Sequence, residues 1–196
     1  IDVIISPEIE IAKSIQRKLE APGALDSVPF ADNKIRLLEI LINENCNLIN
    51  IKLSDLTKKY PNLKANVIGV IREDRFFIPK KTDEVKINDK IYVIINSKQM
   101  SETLEAFGHT EKISKNILIV GGGNIGFNLA KNIEENLDAA RVKIIEKNKE
   151  RAEFLASELN NTIVINGNGL DEEVLAEANL EEAETVLALT NDDEDN

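Results

Sequence analysis

The stretch ILIVGGGNIG at 117–126 limits what this 196-residue chain can fold into more than any other. An apolar strand pattern runs straight into Gly121, Gly123 and Gly126, spaced G-x-G-x-x-G, and a helical pattern follows from Ile125. At that junction the first glycine permits a tight turn, the second lets backbone approach a pyrophosphate, and the third lets the helix pack close to the strand. The helix N-terminus then offers free amides to an anion. Glycines at this spacing also build purely structural turns, so the surrounding rhythm has to decide.

From Lys115 onward strands and helices alternate. NILIV (116–120), RVKII (141–145), NTIVI (161–165) and ETVLAL (184–189) read as strands, separated by helices from Ile125, Lys149 and Asp171. In the second helix Ala152, Leu155, Ala156 and Leu159 follow the spacing of one face packed on a sheet. The rhythm predicts right-handed βαβ units and a parallel sheet. It holds the first mononucleotide-binding half and its next strand.

The first 108 residues are punctuated differently. All five prolines (Pro7, Pro22, Pro29, Pro61, Pro79) lie there, whereas six of the nine glycines lie between Gly121 and Gly169. IDVIIS predicts a strand, followed by a helix that Ser6 can cap with Pro7 at its first position, and Pro22-Gly23 ends the pair. Such a pair cannot bury both faces alone, and with no initiator Met or signal-like start the chain reads as an excerpt of a longer one. From about Val28 to Phe107 the pattern is β-rich. Ile35–Ile42, Leu48–Leu53, Val67–Ile71, Phe76–Ile78 and Ile91–Ile95 are predicted strands, with a short helix from Ser54-Asp55 to Pro61 and a closing helix over Ser97–Phe107. Arg72-Glu73-Asp74-Arg75 reads as a hairpin turn. The fold class is therefore α/β: a small α+β module joined near Gly108–Ser114 to a Rossmann-like parallel sheet.

Twenty residues after Gly126, at the end of the second strand, stands Glu146, where a dinucleotide fold places the carboxylate that binds the adenosine ribose. A carboxylate there repels a 2′-phosphate, favouring NAD(H) or an adenine nucleotide over NADP(H). Asn166-Gly167-Asn168-Gly169 and Thr190-Asn191 follow the third and fourth strands, at the ends where open parallel sheets bind ligands, although such loops are also ordinary connectors.

Charge and composition narrow the function classes. The formal net charge is −11, and residues 166–196, with eleven acidic and no basic residues, account for all of it. No basic nucleic-acid footprint is present, and the acidic run Asp192–Asp195 reads as a solvated end. The longest uncharged stretch, Asn116–Ala130, is shorter than the ~20 apolar residues of a membrane span. The lone Cys46 excludes an internal disulfide, suits a reducing compartment, and has no nearby His or second Cys to make it a nucleophile or metal ligand. His109, the one histidine, reads as an exposed linker residue; Met100 reads as part of the closing helix and Lys80-Lys81 as a solvated turn. Hydride transfer needs a substrate pocket and usually an acid or base. Beyond that histidine the chain offers two separated tyrosines, Tyr60 and Tyr92, neither followed by a Lys four residues on.

In order, IDVIISPEIEIAKSIQRKL, a β-rich module with DSVPFADNKIRLLEI, and ILIVGGGNIG…VKIIEKNKERAEFLA…VINGNGLDEEVLAEANLEEAETVLALTNDDEDN resemble the TrkA family, the cytoplasmic regulatory subunits of Trk potassium-uptake systems built from RCK domains. The resemblance implies that 1–22 close a first nucleotide-binding RCK domain, that 24–108 are an RCK C-terminal module, and that 114–196 begin a second nucleotide-binding RCK domain. It implies NAD(H), with ATP or ADP as further candidates, held at Gly121, Gly123, Asn124, Ile125, Glu146, Lys147, Gly167, Asn168 and Thr190, with Gly126 completing the glycine motif. Where relatives read Gly-Asp-(Ala/Gly)-Thr, this chain has Gly167-Asn168-Gly169-Leu170, which puts the adenine-end contacts in question. The family further implies a dimer or tetramer docked on an integral-membrane potassium transporter at the inner face of the plasma membrane, with regulation rather than catalysis as its function. The rival reading is an NAD-dependent oxidoreductase.

Overall fold

The structure, a computed structural model, describes residues 6–190. The strand expected at the start of IDVIIS, Asn191 and the acidic run 192–195 lie outside the described residues. The chain adopts a mixed α/β fold in two compact units, one over Arg17–Ile113 and one combining the described residues up to Gln16 with those from Ser114 onward. Helix α1, Pro7–Glu20, begins as expected, with Pro7 in its first turn and Ser6 Oγ donating to Glu8 Oε2 at 2.8 Å.

The unit over Arg17–Ile113 is built on five antiparallel strands, β1 (Ala24–Phe30), β2 (Ile35–Leu41), β3 (Ala65–Arg72), β4 (Arg75–Phe77) and β5 (Lys90–Asn96), in the sheet order β1-β2-β5-β3-β4. Period-two alternation in β2 and β5 puts Leu38 and Ile40 opposite Val93 and Ile91, all buried on one face. Helices α2 (Leu53–Lys59) and α3 (Met100–Ala106) help close that face, with Leu56, Leu104 and Phe107 in the same core. Glu73 and Asp74 both have positive φ (50° and 59°), the requirement of a two-residue turn that matches strand twist, and Arg72 pairs with Arg75 across it.

Three expectations for this unit are corrected, and one strand is added that the sequence reading did not predict. Leu48–Leu53 is not a strand: Asn50 at φ 60° breaks the extended backbone, leaving isolated bridges Ile49↔Val85 and Lys52↔Glu84. β1 has no clean alternation and contains Pro29, so its sequence hides it; a proline is tolerated because β1 is an edge strand. The closing helix is a 3₁₀ turn, Ser97–Gln99, before α3. His109 is buried, donating from Nε2 to Leu41 O at 2.8 Å with Nδ1 3.4 Å from Glu111 Oε1, because it supplies a donor for a backbone carbonyl at the end of β2.

The second unit carries four parallel strands, β6 (Asn116–Val120), β7 (Arg141–Glu146), β8 (Ile163–Asn166) and β9 (Thr185–Ala188), in the sheet order β8-β7-β6-β9. Helices α4 (Asn124–Asn136), α5 (Lys149–Glu158) and α6 (Glu172–Glu177) connect them. Leu118 and Ile145 cluster with Ile165 and Ala178, while the alternate residues Ile117, Ile119 and Ile144 are also buried, so the central strands are covered on both faces. On α5 the expected stripe is narrower: Ala152, Leu155 and Leu159 are buried, but Ala156 is exposed because the helix touches its neighbours along one row. Glu134 of α4 braces the loop before β8, accepting from Asn161 N at 2.8 Å, Asn160 N at 3.1 Å and Thr162 Oγ1 at 2.7 Å. Burial works to raise its pKa, yet these bonds together outweigh it and hold the carboxyl below its usual range.

Candidate nucleotide-binding site

The chain order β6, β7, β8, β9 maps onto the spatial order 8-7-6-9, so the connections leave β6 in opposite directions and a crevice opens at the carboxyl ends of the strands. A cavity of about 570 Å³ occupies it. That is the size of an ordinary small-molecule site. Of the residues singled out from the sequence, Gly121, Gly123, Asn124, Glu146, Lys147, Gly167, Asn168 and Thr190 line it. Ile125 and Gly126 do not; both sit in the first turn of α4, Gly126 buried beneath the wall.

The three motif glycines do three different things. Gly121 has φ 107°, and a Cβ there would lie 2.7 Å from Leu189 O, so the turn out of β6 passes directly against the end of β9. A Cβ on Gly126 would lie 2.1 Å from Gly121 O, which locks helix to strand. A Cβ on Gly123 would meet nothing within 4 Å. The bareness of Gly123 therefore serves no contact inside the described chain; it leaves space in front of the α4 N-terminus, whose first N–H groups have no intrahelical partner.

A closed circuit of hydrogen bonds fixes the opposite wall. Glu146 Oε2 accepts from Gly122 N at 2.8 Å and Oε1 from Asn148 N at 2.8 Å. Asn148 Oδ1 caps α5 by accepting from Arg151 N at 2.9 Å, and Arg151 Nε donates to Gly122 O at 2.7 Å. The Arg151 guanidinium lies over the rings of Phe154 and Phe127, at 4.9 and 5.7 Å from their centroids. Gly122 is packed closely as well: a Cβ would strike Leu155 Cδ1 at 2.3 Å.

Sequence reasoning missed Asn148 and Arg151 as part of this wall. Asn148 carried a local signal, an Asx residue before a helical stretch. Arg151 carried none, since its partner is 29 residues away. Val120, Ile145, Leu170 and Leu189 supply an apolar lining, so the departure at Leu170 places a hydrophobic side chain on the cavity wall. The arrangement offers backbone amides to an anion, a held carboxylate to hydroxyl groups and apolar surface to a flat ring. No His, Cys or Tyr is among the lining residues, and no group of three or more His, Cys, Asp or Glu among the described residues is placed to hold a metal ion.

The profile of the TrkA-C domain matches residues 37–108 and that of the TrkA-N domain residues 117–196. The chain is 38% identical over 193 residues to the Trk system potassium uptake protein TrkA of Azorhizobium caulinodans and 36% identical over 196 residues to that of Vibrio alginolyticus. These alignments take in 98% and 100% of the chain but 42% of each relative, so the chain spans about two fifths of their length. Among solved structures it is similar to the GsuK RCK domain (17% identity, TM-score 0.55, 97% of this chain and 40% of that one). It is also similar to the GsuK channel bound to NAD (15% identity, TM-score 0.56, 97% and 33%). At such identities these two likenesses speak for the fold alone.

Proposed function

The chain belongs to the TrkA family, and from that premise we propose that it is the nucleotide-sensing part of a regulatory subunit that gates a membrane potassium transporter. One observation carries the nucleotide reading: the open space at Gly123, in front of the α4 N-terminus, in a cavity whose far wall is the Glu146 carboxylate. The diphosphate lies on the amides of Gly123, Asn124, Ile125 and Gly126, and Glu146 accepts from the ribose hydroxyls. Lys147, Gly167, Asn168 and Thr190 flank the base. The ligand is NAD(H), with ATP or ADP competing for the same cavity; the NAD carried by the GsuK channel, a structural neighbour, agrees with this reading. In this reading 24–108 are an RCK C-terminal module, 1–22 end a preceding RCK nucleotide-binding domain and 114–196 begin the next.

Regulation is favoured over hydride transfer by where the reactive side chains stand. His109 is committed to Leu41 O, and Tyr60 and Tyr92 belong to the antiparallel unit rather than to the cavity. The subunit acts as a dimer or tetramer on the cytoplasmic face of the membrane; no described helix is long and apolar enough to cross it. Ligand binding shifts the transporter only by its differential affinity for two arrangements, and five- to 150-fold discrimination supplies roughly 1 to 3 kcal/mol. The test is potassium flux through the complete regulator reconstituted with its transporter, titrated with NAD, NADH, ATP and ADP. At least one nucleotide changes flux at a concentration that matches its binding. Flux that ignores all four while binding is intact overturns the regulatory reading, and substrate-dependent NADH turnover would replace it with an oxidoreductase.

A further inference from the structure

The chain has two Asn-Gly pairs, Asn166-Gly167 and Asn168-Gly169, side by side in the loop after β8. Asparagine before glycine is chemically labile, because glycine has no Cβ to shield its nitrogen from the neighbouring side-chain amide. Both asparagines are exposed, so exposure does not separate them; hydrogen bonding does. Asn166 is held at both reacting ends: its Nδ2 donates to Glu146 O at 2.8 Å, and Gly167 N donates to the same oxygen at 3.1 Å. At the second pair Asp171 N closes a turn onto Asn168 O at 3.0 Å, which puts Gly169 at the turn's second position, where a turn uses no N–H. Gly169 N donates to no group among the described residues. Leu170 N instead donates to Asn168 Oδ1 at 3.1 Å and so draws electrons from Cγ, the atom that a nitrogen would attack.

We propose that Asn168 is a self-modification site in the cavity wall, deamidated by its own chain and shielded when the cavity is filled. Gly169 N gives its proton to solvent base and bonds to Asn168 Cγ; the Cγ–Nδ2 bond breaks, and ammonia leaves with a proton taken from solvent. Water then opens the resulting succinimide at Cγ, giving aspartate, or at the backbone carbonyl, giving isoaspartate. The net change is water in and ammonia out, with nothing oxidised or reduced. Either product adds a carboxylate to a cavity that already holds Glu146. Because Asn168 lines that cavity with Gly169 and Leu170, a ligand there limits the motion the attack requires. Empty copies thus alter irreversibly with time while occupied ones keep their site. The shielding rests on the nucleotide reading above; the choice of Asn168 over Asn166 does not.

The experiment incubates the complete protein in mildly alkaline buffer, well below its melting temperature, with no ligand, with ADP or with NADH. Peptide mass spectrometry follows each asparagine, and calorimetry records whether the two nucleotides bind. Asn168 converts at least about ten-fold faster than Asn166, whose hydrogen bonds must break first, and the two rates converge in denaturant, where neither residue is held. Saturating ADP or NADH slows the conversion of Asn168 several-fold. Conversion of Asn166 as fast as Asn168, or of neither, would overturn the assignment, and so would an Asn168 rate unchanged by a nucleotide that calorimetry shows to be bound. If neither nucleotide binds while Asn168 still outpaces Asn166, the nucleotide reading falls and the modification site stands.

Discussion

The two sheets of this chain bury their strands in opposite ways. In the antiparallel unit β2 and β5 alternate, with Leu38, Ile40, Ile91, Val93 and Ile95 inside and their neighbours outside, and the open face leaves Phe76 and Ile94 exposed. In the parallel unit the middle of β6, Ile117-Leu118-Ile119, is buried without interruption. A one-sided sheet can be closed by short local hairpins, whereas a parallel sheet needs a crossover helix for every strand. Those crossovers bring every strand's carboxyl end to one edge, and the cavity lies at that edge. The antiparallel unit spends its polar side chains on itself instead: Arg72 forks onto buried Asp89 through Nε and Nη2, each at 2.7 Å, and Arg36 joins Glu20, Asn33 and Ser27.

The contrast can be broken most forcefully at the cores. Phe107→Ala, in the antiparallel core, should cost about 3 to 5 kcal/mol. Residue-resolved hydrogen exchange should then show protection lost in β2 and β5 and kept in β6 and β7; loss in all four strands would show that the two cores do not stand separately.

Within the parallel unit two glycines three residues apart should part company. Gly126→Ala forces a Cβ onto a backbone carbonyl and should destabilise that unit by about 3 kcal/mol in denaturant titrations. Gly123→Val should leave stability within ~0.5 kcal/mol while lowering nucleotide affinity at least about a hundred-fold, roughly 2.7 kcal/mol. Unchanged affinity in a folded Gly123→Val protein would remove the site from this crevice.

A smaller effect is expected at the ribose end. Glu146→Gln keeps the size of the side chain and should weaken NAD(H) by about 1 to 2 kcal/mol, read by calorimetry. The parent protein should reject NADP(H), and equal affinity for the two cofactors would contradict the role given to this carboxylate.

The least effect is a pH dependence. Because the folded Glu134 carboxyl has a lowered pKa, its contribution is complete above the ordinary carboxylate range, ~4.3, and is lost as pH falls through the lower folded value. Acid titration of the parallel unit should show that loss, and Glu134→Gln should flatten it. An identical acid limb in the variant would place the acid sensitivity elsewhere.

Much of this organisation was legible in the chain itself. The four parallel strands, the helices between them and the turn at Glu73-Asp74 follow from hydrophobic periodicity and local backbone preference, which act within a few residues. The glycine spacing, Glu146, the loops after the third and fourth strands and the family resemblance together marked eight residues that line one cavity. Leu48–Leu53 misled because an apolar run with β-type residues says nothing of the left-handed Asn50 in its middle.

What only tertiary structure decided are the partners. His109 meets Leu41 across 68 residues, Arg151 meets Gly122 across 29, and Gly122 meets Glu146 across 24. Each is a polar group whose donor or acceptor is satisfied by backbone brought near by chain crossings, and no local pattern carries that information. The sequence by itself determined most of the strands and helices, and where backbone could approach a ligand, because those are properties of short windows. The closing of the Glu146, Gly122, Arg151 and Asn148 circuit was decided by how β6, β7 and α5 pack, because a hydrogen bond forms only when three-dimensional distance and direction both allow it.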